Sequence, residues 1–266
     1  MGVVNATPDS FSGDGILPST GDVQAAIDQA LRMEDEGADI IDVGGESTRP
    51  ANVYPDAKPV DSDDEISRVI PVIEGLVGRL GVPISIDTRK SSVADAAIDA
   101  GAVLANDVSM LGDADMASVV SARNVPIVVS HIRPGGHKGD VVSDVVADLN
   151  SAVDKLVTAG LDRTKIIVDP GIGFVKNADQ SLLLMKNLGQ LRQQIGLPLL
   201  VGTSRKSFIG TVTGEAVEDR RFGTAATVAL AIQSGADIVR VHDVEEMMRV
   251  AKMSDAIARE SGLIHG

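Results

Sequence analysis

The fold is decided by a pattern that first occurs in EGADIIDVGG, residues 36–45. The same pattern returns in AGAVLANDVS, residues 100–109, and in SGADIVRVHD, residues 234–243. Each segment places Gly-Ala before a run of mostly apolar residues that ends in polar groups. A glycine that closes a helix, followed by a strand buried on both faces, is typical of a parallel sheet.

Further strands of this character extend the pattern over the whole chain. With the opening GVVN, the sequence predicts eight strands, near residues 2–5, 39–43, 83–87, 102–106, 126–131, 165–169, 198–202 and 236–241. Helical patterns lie between them, such as residues 22–37 and 144–160, with apolar residues three and four apart. Eight alternations predict an α/β fold, a (β/α)8 TIM barrel, as a single domain over residues 1–266. An open doubly wound sheet is the structural alternative.

Composition restricts the classes of partner. The 266 residues include no cysteine, 38 acidic and 24 basic residues, and aromatics make up 2%. Disulfides and thiolate metal sites are therefore excluded, and nucleic acid is not an expected partner. No segment is typical of a membrane span or a signal peptide, so we expect no membrane partner and a cytoplasmic location. In so acidic a chain, an anionic ligand needs local cations, which draws attention to Arg205 and Lys206 in GTSRKSFIG.

Polar residues follow most of the predicted strands. In a barrel of this kind the chemistry lies at the carboxyl ends of the strands. The residues at or just beyond those ends are Asn5, Asp42, Glu46, Asp87, Asn106, Asp107, His131, Asp169, Lys206, Arg240 and His242. Any one of them could cap the next helix, but so many on one rim indicate a site.

Three of these residues suggest the kind of ligand. Asp87, Asn106 and Asp169 supply acceptors and one amide, which suits a flat heterocycle with several N–H groups along one edge. A metal site is the alternative for the two aspartates, although the sequence has no tight ligand motif such as HExxH.

The last strand predicts an anion site. Arg240 and His242 alternate along it, and a helix follows whose Asp243 and Glu246 have the spacing of a capping box. The helix N-terminus, with these two side chains and Asn5, would bind an anion. A hydrogen-bonded core histidine is the other interpretation of His242.

Two glycine-rich segments, SGDGI from Ser12 and DPGIGF from Asp169, lack the third glycine of a dinucleotide-binding motif. They carry or flank Phe11 and Phe174, each of which could line a site or fill a packing gap.

Seven ordered motifs resemble those of the dihydropteroate synthase family. They are NATPDSFS, IDVGGESTRP, SIDT, NDVS, DPGIGF, GTSRKSFIG and RVHDV, from Asn5 to Val244. The resemblance implies a homodimeric, Mg2+-assisted transferase of folate biosynthesis. Such an enzyme joins 6-hydroxymethyl-7,8-dihydropterin pyrophosphate to para-aminobenzoate, giving 7,8-dihydropteroate and pyrophosphate. Pyrophosphate would leave first, so no protein nucleophile is required.

The resemblance also implies the role of each site residue. The implied catalytic residues are Asn5, Asp87, Lys206, Arg240 and His242, with Asn5 near the magnesium. The implied pterin slot comprises Asp87, Asn106, Asp169, Lys206 and Arg240. The implied aminobenzoate pocket comprises Thr48, Arg49, Pro50, Phe174, Lys206 and Ser207, and the first loop contributes Asp9, Phe11 and Asp14.

Within GTSRKSFIG we expect a division of roles. Adjacent residues on a strand point to opposite faces, so Lys206 would face the pterin and Arg205 would face away and brace the structure. The sequence departs from the family in its first loop, at Gly13 and Asp14, and at Ser130, where methionine is common. The alternative functions are a related methyltetrahydrofolate methyltransferase and a non-catalytic pterin-binding protein.

Overall fold

Eight parallel strands form the centre of the molecule in the computed structural model, which describes residues 1–6, 20–46 and 60–259. They are β1 (Gly2–Asn5), β2 (Ile41–Gly44), β3 (Ile84–Asp87), β4 (Leu104–Asp107), β5 (Ile127–Ser130), β6 (Ile166–Asp169), β7 (Leu200–Val201) and β8 (Ile238–Val239). Each predicted strand is present, and its first residue differs from the predicted first residue by two positions at most.

The strands close into a ring. Strands β1 to β6 pair in sequence order, and β7 pairs with β8. Parallel bridges join Val168 to Leu199 and Gly2 to Val241, which connects the two sets at both edges. The predicted barrel is therefore confirmed, and the open doubly wound sheet was the wrong alternative.

Helices surround the ring. Those within the described residues are α1 (Thr20–Asp35), α2 (Ser62–Leu76), α3 (Ser91–Ala100), α4 (Met116–Arg123), α5 (Val141–Thr158), α6 (Ala178–Lys186), α7 (Leu188–Ile195), α8 (Ser207–Thr213), α9 (Arg221–Gln233) and α10 (Val244–Ala258). None of these helices has the length and apolar character needed to cross a membrane.

The recurrent glycine ends a helix, as the sequence predicts. Gly101 follows α3 at φ 120° and donates its backbone N–H to Ala97 and Ile98. Gly37 follows α1 at φ 99°. Residues with a side chain rarely adopt such a positive φ. Glycine therefore allows the chain to turn directly from helix to strand.

The core consists of two apolar clusters, and polar groups occupy the end of the barrel where the strands have their carboxyl ends. The larger cluster lies between strands and helices and includes Val43, Ile86 and Leu149, all fully buried. The smaller comprises Met1, Leu104, Val128 and Leu200. The residue two places after Leu104 is Asn106, and the residue two places after Val128 is Ser130, so the same strand faces become polar at their carboxyl ends.

Strand register brings these ends together. Asn5 lies opposite Gly44, and Gly44 lies opposite Asp87. Asp87 in turn lies opposite Asn106, while Ser130 lies opposite Asp169. The strand-end residues of the sequence therefore share one rim.

Candidate active site

A partly buried arginine connects two buried carboxylates at this rim. The Arg240 side chain donates from Nε to Asp42 Oδ2 and from Nη2 to Asp87 Oδ2, each at 2.6 Å. Asn106 Nδ2 donates to the same Asp42 oxygen at 2.9 Å. Residues from β2, β3 and β4 are thus joined to the segment after β8, which fixes a polar slot across the barrel.

The slot retains acceptors that have no partner among the described residues. They are Asp42 Oδ1, Asp87 Oδ1 and Asn106 Oδ1, all buried. Leaving a buried acceptor unpaired is costly, and native structures contain few of them. Three in one slot therefore indicate a ligand that presents several N–H donors.

Burial also alters the protonation of Asp87. Removal from water raises the pKa of Asp87 to about 7, although the Arg240 guanidinium opposes the rise. The carboxyl group can therefore gain or lose a proton near neutral pH.

Asp169 occupies the end of β6 and is held by two donors. Gly171 N donates to Oδ1 at 2.8 Å, and Ser130 Oγ donates to Oδ2 at 3.3 Å. Burial raises the pKa of Asp169, and the backbone hydrogen bond from Gly171 opposes that rise. Ser130 therefore helps to orient the Asp169 carboxylate.

Lys206 lies beside Phe174 at the edge of the slot. The Lys206 ammonium is 3.6 Å from the centre of the Phe174 ring, a cation–π contact. Burial lowers the pKa of Lys206 to about 8, and the charge of Asp169 partly offsets this effect.

Arg205 and Lys206 have different partners, but the reason predicted from the sequence was wrong. Strand β7 ends at Val201, and both residues lie in the turn before α8. Arg205 has a left-handed backbone, with φ 58°, and its side chain pairs with Asp243 through two hydrogen bonds. Its carbonyl accepts from Arg220 Nη1 at 3.0 Å. A turn, not strand alternation, separates the two side chains.

One prediction about the helix after β8 was wrong. Asp243 does not form a capping box, because its side chain makes no capping hydrogen bond and instead pairs with Arg205. The Arg240 guanidinium pairs with Asp42 and Asp87. The anion site of Arg240, His242 and Asn5 stays a prediction.

His242 is oriented by Ser204. The His242 backbone N donates to Ser204 Oγ at 3.2 Å, and Nδ1 lies 2.9 Å from the same oxygen. The hydroxyl can donate to Nδ1, which leaves the proton on Nε2. Burial lowers the pKa of His242 to about 4, so near neutral pH the ring is an uncharged donor.

The structure brings together most of the predicted site residues that it describes. Asp87, Asn106, Asp169, Lys206, Arg240 and Phe174 surround the slot. Asn5 ends β1 in the same layer, and Ser207 begins α8 next to Lys206. Residues outside the described part of the chain are Asp9, Phe11, Asp14, Thr48, Arg49 and Pro50.

Asp42 and Ser204 belong to this hydrogen-bond network, and sequence reasoning gave neither a role. Asp42 was noted only as a strand-end residue, yet it accepts from both Arg240 and Asn106. Its signal is a carboxylate inside the apolar run ADIIDV, where a buried charge needs a partner. Ser204 carried no signal, because its role depends on the position of His242.

Comparisons with known proteins identify the family of the chain. A family model described as pterin binding enzyme matches residues 1–242. Dihydropteroate synthase of Bacillus subtilis is 49% identical over 267 residues, covering 100% of this chain and 90% of that protein. Dihydropteroate synthase of Clostridium beijerinckii is 44% identical and covers 97% of this chain and 94% of that protein.

Solved structures give the same result. Dihydropteroate synthase of Xanthomonas albilineans with 4-aminobenzoic acid has a TM-score of 0.89 and 40% identity, covering 96% of this chain and 91% of that one. The enzyme from the same organism in complex with 7,8-dihydropteroate has a TM-score of 0.86 and 39% identity, covering 96% and 92%.

Proposed function

Because the chain belongs to the dihydropteroate synthase family, we infer that it joins 6-hydroxymethyl-7,8-dihydropterin pyrophosphate to para-aminobenzoate and releases pyrophosphate. The observation that carries this inference is the group of unpaired buried acceptors at Asp42, Asp87 and Asn106. A pterin presents a guanidine-like edge of N–H donors, which is the complement that these oxygens lack.

The pterin slot combines acceptors with one cation. Asp87, Asn106 and Asp169 would accept from the N–H groups of the ring, and the Lys206 ammonium would donate to its carbonyl or ring nitrogen atoms. Arg240 keeps Asp42 and Asp87 in place through its two hydrogen bonds. The slot is therefore organised before the ligand arrives, which lowers the ordering cost of binding.

The aminobenzoate would lie at the mouth of the slot. Phe174 and Ser207 flank Lys206 there, and both are more exposed than Asp87 at the slot floor. The Phe174 ring offers an apolar surface for an aromatic amine. The Lys206 ammonium contacts the same ring and lies near Asp87 and Asp169 of the pterin slot. We propose that Thr48, Arg49 and Pro50 complete this pocket.

The leaving pyrophosphate would contact Asn5 and His242. The neutral His242 ring can donate from Nε2. Asn5 is the last residue of the neighbouring strand β1, and its side-chain amide is the other expected contact. Among the described residues no three His, Asp or Glu side chains are grouped as a metal cage. Mg2+ commonly binds one or two protein oxygens together with substrate phosphates, so the amide oxygen of Asn5 fits an ion shared with the substrate. When bound, Mg2+ would neutralise charge on the leaving pyrophosphate.

The chemistry assigned to the protein is positioning and charge stabilisation. As pyrophosphate departs, positive charge develops on the methylene carbon attached to the pterin. The carboxylates of Asp87 and Asp169 stabilise that charge, and the amine of the aminobenzoate then forms the new C–N bond and loses a proton. The residues 7–19 and 47–59 follow β1 and β2, and we propose that they exclude water from this cation.

Release of pyrophosphate from the purified protein tests the function. We expect release only when pterin pyrophosphate, para-aminobenzoate and Mg2+ are all present, together with an equal amount of dihydropteroate detected by mass spectrometry. Pterin binding without release would support the non-catalytic alternative. Methyl transfer from methyltetrahydrofolate without release would support the methyltransferase alternative.

The affinity for pterin should depend on pH with a maximum between about 7 and 8. Below the Asp87 pKa of about 7 the acceptor is protonated, and above the Lys206 pKa of about 8 the donor loses its charge. Linkage then predicts a loss of up to about tenfold per pH unit on either side. Calorimetric titration with 6-hydroxymethylpterin from pH 5.5 to 9.5 measures both limbs. Asp87→Asn should weaken binding and flatten the acidic limb alone, and an unchanged acidic limb would contradict the role of Asp87.

We also propose a homodimer formed through α9 and α10, in the cytoplasm. Their apolar side chains are conspicuously exposed: Phe222 83%, Leu230 56%, Met253 63% and Ile257 68%. Exposed apolar groups on neighbouring helices are typical of a subunit interface.

Leu230→Glu should convert the dimer to a monomer. Light scattering at micromolar concentration should give about twice 27.6 kDa for the wild type and a mass near 27.6 kDa for the variant. The matched control is Val157→Glu, which changes a 43% exposed valine on α5 and should leave the dimer intact. A wild-type mass near 27.6 kDa would rule out the interface.

A further inference from the structure

A buried lysine outside the slot has no role in the mechanism described above. Lys176 is only 9% exposed and lies in the connection between β6 and α6, directly after the loop of residues 170–175. Its ammonium contacts Gly171 O at 2.9 Å, Phe174 O at 3.2 Å and His131 O at 3.3 Å. These three carbonyls lie within hydrogen-bond distance of one ammonium, which ties both ends of this loop to the end of β5.

A histidine ring nitrogen is a fourth acceptor near this ammonium, so its three N–H groups are shared among four acceptors. His131 Nδ1 lies 3.0 Å from Lys176 Nζ, and His131 Nε2 lies 3.0 Å from Asp148 Oδ2. Because Nδ1 accepts from the ammonium, the ring proton is assigned to Nε2, which donates to Asp148. Burial lowers the pKa of His131 to about 4, so the ring stays neutral and able to accept.

The loop is held in a conformation that its sequence does not favour. Val175 has φ 49°, in the left-handed region that β-branched residues rarely adopt. Gly171 has φ 63°, and a Cβ atom there would be 1.9 Å from His131 O. Strained backbone of this kind persists when surrounding contacts impose it, and the Lys176 ammonium supplies such contacts at Gly171 and Phe174.

The result of this conformation is the position of Phe174. Lys176 binds the carbonyl of Phe174 itself and that of Gly171, and the strained Val175 follows directly. The Phe174 ring lies against the Lys206 ammonium. We propose that Lys176 is a positioning residue that fixes the 170–175 loop and thereby places Phe174 for the aminobenzoate. This inference rests on the proposed function, because Phe174 borders the aminobenzoate pocket.

Product binding tests the proposal without requiring turnover. Lys176→Met should weaken 7,8-dihydropteroate about tenfold, because the aminobenzoate portion loses its wall, whereas 6-hydroxymethylpterin should change less than about threefold. Calorimetry measures both ligands, and thermal melts establish that the variant is folded. In turnover, KM for aminobenzoate should rise about tenfold while KM for the pterin substrate stays within about threefold. Lys186→Met, an exposed change at the end of α6, is the matched control and should alter neither.

A double-mutant cycle identifies the route of the effect. If Lys176 acts through Phe174, then Lys176→Met should change dihydropteroate affinity less than about twofold once Phe174→Ala is present. Additive losses, or equal losses for pterin and product, would overturn the proposal. If Lys176→Met does not fold, Lys176→Gln carries the same comparison with amide donors in place of the charge. Absence of turnover in the wild type would refute the proposed function, whereas wild-type product affinity in Lys176→Met would refute this inference alone.

Discussion

Replacing Arg240 with methionine should lower the free energy of unfolding by about 3–5 kcal/mol, because two buried carboxylates would lose their shared cation. Asp42 is fully buried and Asp87 is 5% exposed, so solvent cannot replace the guanidinium. Asn106 would remain the donor to Asp42. Urea denaturation at pH 7.5 measures the loss.

A surface arginine provides the control. Arg249→Met breaks an exposed ion pair with Glu245 one helical turn away. Such pairs contribute at most about 1 kcal/mol, so the control should stay within that range. A similar small loss for Arg240→Met would show that the buried pairs do not hold the slot together.

Replacing Lys206 with alanine should weaken pterin binding roughly ten- to a hundredfold, the equivalent of about 1.5–3 kcal/mol for a lost charge-assisted hydrogen bond. Folding should change little, because among the described residues its ammonium contacts the Phe174 ring and forms no hydrogen bond. Calorimetric titration with the pterin, beside thermal melts, measures both quantities.

Arg205→Ala should do the opposite. Its guanidinium makes two hydrogen bonds to Asp243 and so joins the turn after β7 to the start of α10. The variant should lose stability while a folded sample keeps most of its pterin affinity. Equal losses of affinity in Lys206→Ala and Arg205→Ala would contradict the division of roles.

Much of the fold was predictable because its signals are local. Gly-Ala before an apolar run marks three of the turns from helix to strand, and eight alternations of strand and helix allow few arrangements. The length of β7 and β8 was not predictable. The sequence places strands near residues 198–202 and 236–241, but the ladder includes only Leu200–Val201 and Ile238–Val239. Hydrogen-bond pairing between distant strands sets those limits, and no local pattern encodes it.

The site was predictable as a list of residues and less so as a network. Asp87, Asn106 and Asp169 were identifiable because each lies at the carboxyl end of a strand, within its last two residues. The partners of Arg240 were not, since the guanidinium binds Asp42 from 198 positions away. Asp243 shows the same limit. Its spacing to Glu246 is that of a capping box, but the nearby Arg205 guanidinium offers a stronger, charge-assisted partner.

The central claim is that unpaired acceptors in the slot read the N–H edge of a pterin. Comparing calorimetric affinities for 6-hydroxymethylpterin and 6-hydroxymethyllumazine tests it most directly, because the lumazine replaces the 2-amino donor with a carbonyl oxygen. A site built to hydrogen-bond a donor rejects a ligand that lacks it, so we expect the lumazine to bind at least about a hundredfold more weakly. Similar affinities for the two ligands would contradict the claim.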